Sequence, residues 1–147
     1  MKKISKLLAL VLVIALALSA ASCSTFGKVN KALEGLGYTE MQGEDAEKQA
    51  KDYEDETVSE VHVFSKGGLL GGVVIVFEFK ATDDLVEYYK SSETLQGVAK
   101  DVSSNEDVKA TYNALCDAGV ACGNCLVLPL TITELSNVLN AIKDLNK

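Results

Sequence analysis

VVIVFEFKATDDLVEYY, residues 73–89, changes its hydrophobic period midway. Val73, Ile75, Phe77 and Phe79 alternate with Val74, Val76, Glu78 and Lys80, which is the two-residue repeat of a β-strand. From Thr82 the repeat becomes helical. Thr82 is the expected N-cap, Asp83 and Asp84 complement the helix dipole, and Leu85, Val86 and Tyr89 share one face. A strand therefore feeds directly into an amphipathic helix.

Upstream, Val61 and Val63 alternate with His62 and Phe64 as a second strand. Gly67-Gly68-Leu69-Leu70-Gly71-Gly72 lies between the two strands and closes a hairpin. Further upstream, Val29, Ala32, Leu33 and Leu36 have helical spacing over roughly 28–36, with Gly37 as the C-cap glycine. The charge-rich stretch from Glu44 to Glu56 predicts a weakly anchored helix or a solvated loop. Downstream, a second helix is expected through Leu95, Val98, Ala99 and Val102. A third opens at Ser104, with Asp107 in capping-box position, and stops at Gly119. Cys125 to Leu130 reads as a short strand, with Pro129 marking an edge or an early end. The last helix carries Leu135, Val138, Leu139, Ile142 and Leu145, capped by Thr131 and Glu134. Leu139 and Ile142 are expected to bury against the sheet.

These elements predict an α+β fold. Its core is a small three-stranded sheet, an antiparallel hairpin plus a third strand after a helical crossover, with helices packed on one face. The chain has 147 residues, 48% apolar and 24% charged, which suits one domain and excludes collagen, long disorder and multi-span membrane proteins.

The first residues are of a different kind. Lys2, Lys3 and Lys6 precede an unbroken apolar run from Leu7 to Leu18. As a helix that run rises about 18 Å, short of a hydrocarbon core of about 30 Å. Small residues from Ser19 to Ser22 then lead into Cys23. Charged start, short apolar core and small residues before a cut are the marks of an export signal. The segment resembles a bacterial prelipoprotein signal, with Ala20-Ala21-Ser22-Cys23 in the place of the lipobox. That resemblance implies cleavage between Ser22 and Cys23, a diacylglycerol on the Cys23 thiol, and anchoring on the extracytoplasmic face of the cell membrane. The expected organisation is a signal peptide over 1–22, a lipidated tether over 23–28 and one α+β domain over 29–147.

Removing residues 1–22 takes away Lys2, Lys3 and Lys6 and leaves 11 Lys against 21 acidic residues, a formal charge of −10. With no Arg, the chain lacks the bidentate fork used for phosphate, and a surface this acidic excludes nucleic acid as a partner. Such a domain should stand off anionic headgroups.

Cys116, Cys122 and Cys125 are spaced C-x5-C-x2-C. In an exported chain the first expectation is a disulfide between two of them, with one thiol left over. A redox-active Cys122-Gly123-Asn124-Cys125 is the second reading. Thiolates completed by His62 or a carboxylate as a metal site are the third. His62 itself is expected to face solvent or to cap the opposite sheet face. No P-loop or dinucleotide fingerprint occurs, and one His supports no nucleophile–base argument, so no cofactor, metal or enzymatic role is expected. The leading expectation is a lipid-anchored binding module for a protein or small ligand. Leu69 and Leu70, bracketed by glycines, form its candidate binding tip. The alternative is a thiol–disulfide or metal-handling lipoprotein using Cys116, Cys122 and Cys125.

Overall fold

A computed structural model describes residues 25–53, 55–67, 72–100, 102 and 107–147. Ser22, Cys23, Leu69 and Leu70 lie outside the described residues.

The predicted hairpin is the centre of the fold. Strands β2 (Val58–Ser65) and β3 (Val73–Phe79) pair antiparallel with His62 opposite Val76 and Val63 opposite Ile75. The expected third strand, β5 (Cys125–Pro129), lies antiparallel on the other side of β3, with Phe77 opposite Leu126 and Glu78 opposite Cys125. Two short strands extend the sheet: β1 (Thr39–Glu40) along β2, and β4 (Ala121–Cys122) along β5. The order is β1-β2-β3-β5-β4, five strands instead of three. Strands of two residues carry no alternation, so periodicity could not reveal them. β5 is therefore an inner strand with Pro129 at its last position; Leu130 beyond it still donates to the Val73 carbonyl at 2.9 Å, so the missing N–H falls on the opposite side of β5, past the end of β4.

Helices cover both faces of the sheet. On one face, Ile75, Phe77, Phe79, Leu126 and Leu128 pack with α3 (Thr82–Ser91), α4 (Glu93–Val98) and α5 (Val108–Ala118) through Leu85, Tyr89, Leu95 and Leu115. On the other, Val74, Val76 and Val127 pack with α1 (Thr25–Gly35) and α6 (Leu135–Asp144) through Val29, Leu33, Val138 and Ile142. The prediction of one covered face fails because Val74 and Val76 are as apolar as their neighbours. A strand that is hydrophobic on both parities is a strand buried on both sides.

Several boundaries move for local reasons. Residues 25–28, assigned to the tether, are already helical in α1. Helix α2 (Glu44–Lys51) buries no residue, in keeping with its weak apolar face. Thr82 is the first residue of α3, not its cap, and Ala81 caps without a side-chain bond. Asp107 itself caps α5, accepting from the Lys109 and Ala110 amides at 2.9 and 3.3 Å. Thr131 does not cap the last helix. Its hydroxyl accepts from the Val73 amide at 3.1 Å, and a 3-10 turn, Ile132–Glu134, leads into α6. Ile142 is fully buried as expected, whereas Leu139 is half-buried and packs toward the α5 side, its carbonyl closing over Gly119. Gly119 holds φ +76 there, and a Cβ would collide with that carbonyl, so glycine is required both for the turn and for the approach.

Ile142→Ala should lower unfolding stability by about 2–5 kcal/mol, since it empties a sealed site against β3 and β5. Ile132→Ala, on the exposed 3-10 turn, should change it by less than about 0.5 kcal/mol. Urea unfolding of the two variants measures the contrast.

Candidate functional site

The three thiols come to one end of the sheet. Cys122 and Cys125 face each other across the two-residue turn Gly123-Asn124 that joins β4 to β5. The turn is tightly held. Gly123 takes φ +56, the Asn124 side chain donates to the Phe79 carbonyl at 2.9 Å, and the Phe79 amide donates to the Asn124 carbonyl at 2.9 Å. Tyr112 on α5 donates its hydroxyl to the Gly123 carbonyl at 2.9 Å. Cys116 lies on α5 near Tyr112, and all three cysteines are free thiols.

Their environment is the reverse of a redox site. Burial pushes Cys125 up to about 12, helped by the negative charge of Glu78 and by Cys122. Burial also raises Cys122, only partly offset by Lys28, and raises Cys116 against the pull of the Tyr112 hydrogen bond. Thiol–disulfide catalysis depends on a lowered pKa at an exposed helix N-terminus, and Cys122-Gly123-Asn124-Cys125 instead forms a buried hairpin turn. Its residues serve the turn.

A second cluster was not singled out by the sequence reading. Directly paired residues in an antiparallel sheet share a face, so Cys122, Cys125, Glu78 and Glu60 make one row across β4, β5, β3 and β2. His62 stands two residues along β2 from Glu60, on the same face. It is not turned to solvent: its side chain is 13% exposed and lies flat on Phe26 of α1, centroids 3.8 Å apart and planes within 18°. Its Nδ1 is 2.7 Å from the Glu40 carboxylate of β1. A carboxylate only accepts, so Nδ1 carries the hydrogen and donates it. Nε2 points the other way, 3.4 Å from Glu60 Oε2 and 4.0 Å from Glu78 Oε1. It is buried and has no hydrogen-bond partner among the described residues. Glu78 is 21% exposed, and its carboxyl is raised mainly by burial, with His62 pulling it down and Glu60 and Glu40 pushing it up. The one signal in the sequence was Glu78 itself, a lone carboxylate in an otherwise apolar strand.

The opposite end of the sheet carries an apolar surface. Ile132 is 89% and Leu130 44% exposed. With Val98, Pro129 and Leu135 they line a groove of about 430 Å³ between α4 and the 3-10 turn. Gly72, the residue after the glycine-rich loop, packs beside Thr131 and Tyr38 at this same end.

Comparison with protein-family models, with curated proteins and with solved structures finds no match to this chain.

Native protein exposed to a thiol reagent at pH 8 should react at Cys116 well before Cys122 and Cys125, and all three should react once unfolded. Mass mapping of the labelled peptides checks the order. Fast labelling of Cys125 in the folded state would contradict its sealed position.

Proposed function

We propose that this protein is a lipoprotein, held on the extracytoplasmic face of the cell membrane by a lipid on Cys23, whose domain works by binding a partner. The observation that carries the reading is the run of signal, cysteine and helix. Lys2 to Leu18 reads as an export signal, Ala20 to Cys23 fits a lipobox, and Thr25, two residues further on in the sequence, already lies in α1.

Thr25, so close in sequence to the proposed anchor, orients the domain. The Thr25 side chain lies against Gly123, so the β4–β5 turn and the C-terminal end of β3 are the membrane-proximal end. β3 has seven residues, and a strand rises about 3.3 Å per residue, so the sheet's other end stands about 20 Å further out. Ile132, Leu130 and their groove are at that outer end, as are Gly67 and Gly72, which flank the candidate tip Leu69-Leu70. Apolar groups held away from the bilayer are available to a soluble or membrane-protein partner instead of to lipid. The occupant this surface suits is an apolar protein segment. An acidic domain of charge −10 favours basic residues beside it.

Cys23→Ala should release the protein from the membrane fraction or leave it as the uncut precursor; a variant that stays membrane-bound at the mature mass overturns the anchoring. Fluorophores placed by Lys28→Cys and Thr133→Cys, each in a Cys116→Ser background, read the orientation. The first should be quenched by headgroup-labelled lipid and the second should not. Equal quenching at both positions would contradict an outward-facing groove.

A further inference from the structure

We propose that Glu60, His62 and Glu78 form a binding site for one divalent first-row transition-metal ion, of the zinc or manganese class. His62 Nε2 and one oxygen from each carboxylate lie within 4.8 Å of one another. Each is a lone-pair acceptor. Nε2 is an acceptor because Nδ1 carries the ring hydrogen toward Glu40, and the carboxylates have no hydrogen to give. Three acceptors turned on one point, with Nε2 buried and unpartnered, call for a cation between them.

A proton on Nε2 is the simplest cation, and the distances argue against it. A charged N–H···O bond closes to about 2.7–2.9 Å, whereas Nε2 stands 3.4 and 4.0 Å from the nearest carboxylate oxygens and makes no hydrogen bond to either. The shorter of the two is the spacing of ligands around a metal, and the longer is wider than it. Donors bound at about 2.0–2.1 Å in a tetrahedron are about 3.3 Å apart. Glu60 already stands at that spacing from Nε2, and a shift of under about 1 Å by the Glu78 carboxylate would bring it to the same.

The surroundings fit the same assignment. Glu40 accepting from Nδ1 is the carboxylate–histidine arrangement that fixes the tautomer and ring angle of a metal-bound imidazole. Phe26 holds the ring by its face and leaves the Nε2 edge clear. One nitrogen and two carboxylate oxygens suit zinc, manganese, iron or cobalt, whereas magnesium and calcium prefer all-oxygen sets. Three protein ligands leave at least one position open to water or to a ligand on the ion. Cys125, opposite Glu78 in the register, is not among the ligand atoms that converge.

The site lies apart from the outer groove and needs no lipid, so its test is independent of the proposed anchoring. The full chain, purified in a mild non-ionic detergent and freed of metal, is titrated with zinc chloride against a chromogenic chelator, and with manganese chloride followed by electron paramagnetic resonance. One ion per chain is expected. Glu60→Gln, which alters an exposed side chain, should weaken binding at least tenfold, as should His62→Gln and Glu78→Gln. Glu40→Gln should weaken it about 10- to 100-fold through the tautomer. Cys122→Ala with Cys125→Ala should leave it unchanged. Nitrogen-15 NMR of the single histidine should show the zinc-induced shift on Nε2 and the hydrogen kept on Nδ1. The assignment is overturned if the wild-type chain binds neither ion at micromolar concentrations. It is also overturned if Glu60→Gln binds like wild type, or if only the double cysteine variant loses binding.

Discussion

Burial of β3 on both faces is the constraint on which the other elements depend. Val74 and Val76 project one way and Ile75, Phe77 and Phe79 the other, and all five are sealed from solvent. Fully burying a residue of this size contributes about 1.5–3 kcal/mol. No single layer of helices can collect both halves. The chain therefore divides its helices, α3 to α5 on one side and α1 with α6 on the other. β5 needs the same double cover, which puts it beside β3 and leaves the edges to β1 and β4.

Glu78 is costly in this setting. The parity of β3 directs it to the α1 face, beside Cys125 and opposite Glu60, where desolvation raises its carboxyl. Packing alone would favour valine there, since an unpaired buried carboxylate is a penalty and a methyl-bearing side chain is a gain. Glu60 and Glu40 add charge of the same sign close by, and among the described residues His62 is the basic group set against all three. An arrangement that raises its own electrostatic cost on a rigid sheet is what pre-organised ion sites look like, because strands hold donor atoms apart at fixed positions.

The hairpin, the strand after the crossover and the inward faces of α3 and α5 were legible in the sequence because each has a strong period over several residues. Leu85, Val86, Tyr89, Leu115 and Ile142 fall where that period puts them. The second helical layer was not recognised, although Val74 and Val76 announced it. Only Glu78 interrupts the apolar run from Val73 to Phe79, so the two faces of β3 differ too little for the pattern to separate them. β1 and β4 are too short to carry a pattern, and Thr131 looked like a cap because its bond to the Val73 amide spans 58 residues of sequence. The same distance hid the cluster. Glu40, His62 and Glu78 lie on three strands, and only the register between those strands brings them together. Cys-x2-Cys was conspicuous and His62 was not, yet burial silences the thiols and exposes no partner to the imidazole nitrogen.

α1 ties the two ends of the argument. Phe26, one residue into the helix from Thr25, is the ring on which His62 rests, and Val29 and Leu33 lock the same helix over Val74 and Val76. A flexible tether would isolate the domain from its anchor, because a loose chain transmits no torque. A helix that already includes Thr25, two residues after Cys23 in the sequence, does the opposite. On the proposed anchoring, the membrane surface would meet the first turn of α1 directly, and Phe26 would relay the position of that turn to the imidazole. The acidic row from Glu78 to Glu60 would then face the interfacial layer instead of open solvent, where cations gather against anionic headgroups. A site for a divalent ion at the membrane-proximal end, and an apolar groove about 20 Å away at the outer end, divide the sheet between two kinds of binding.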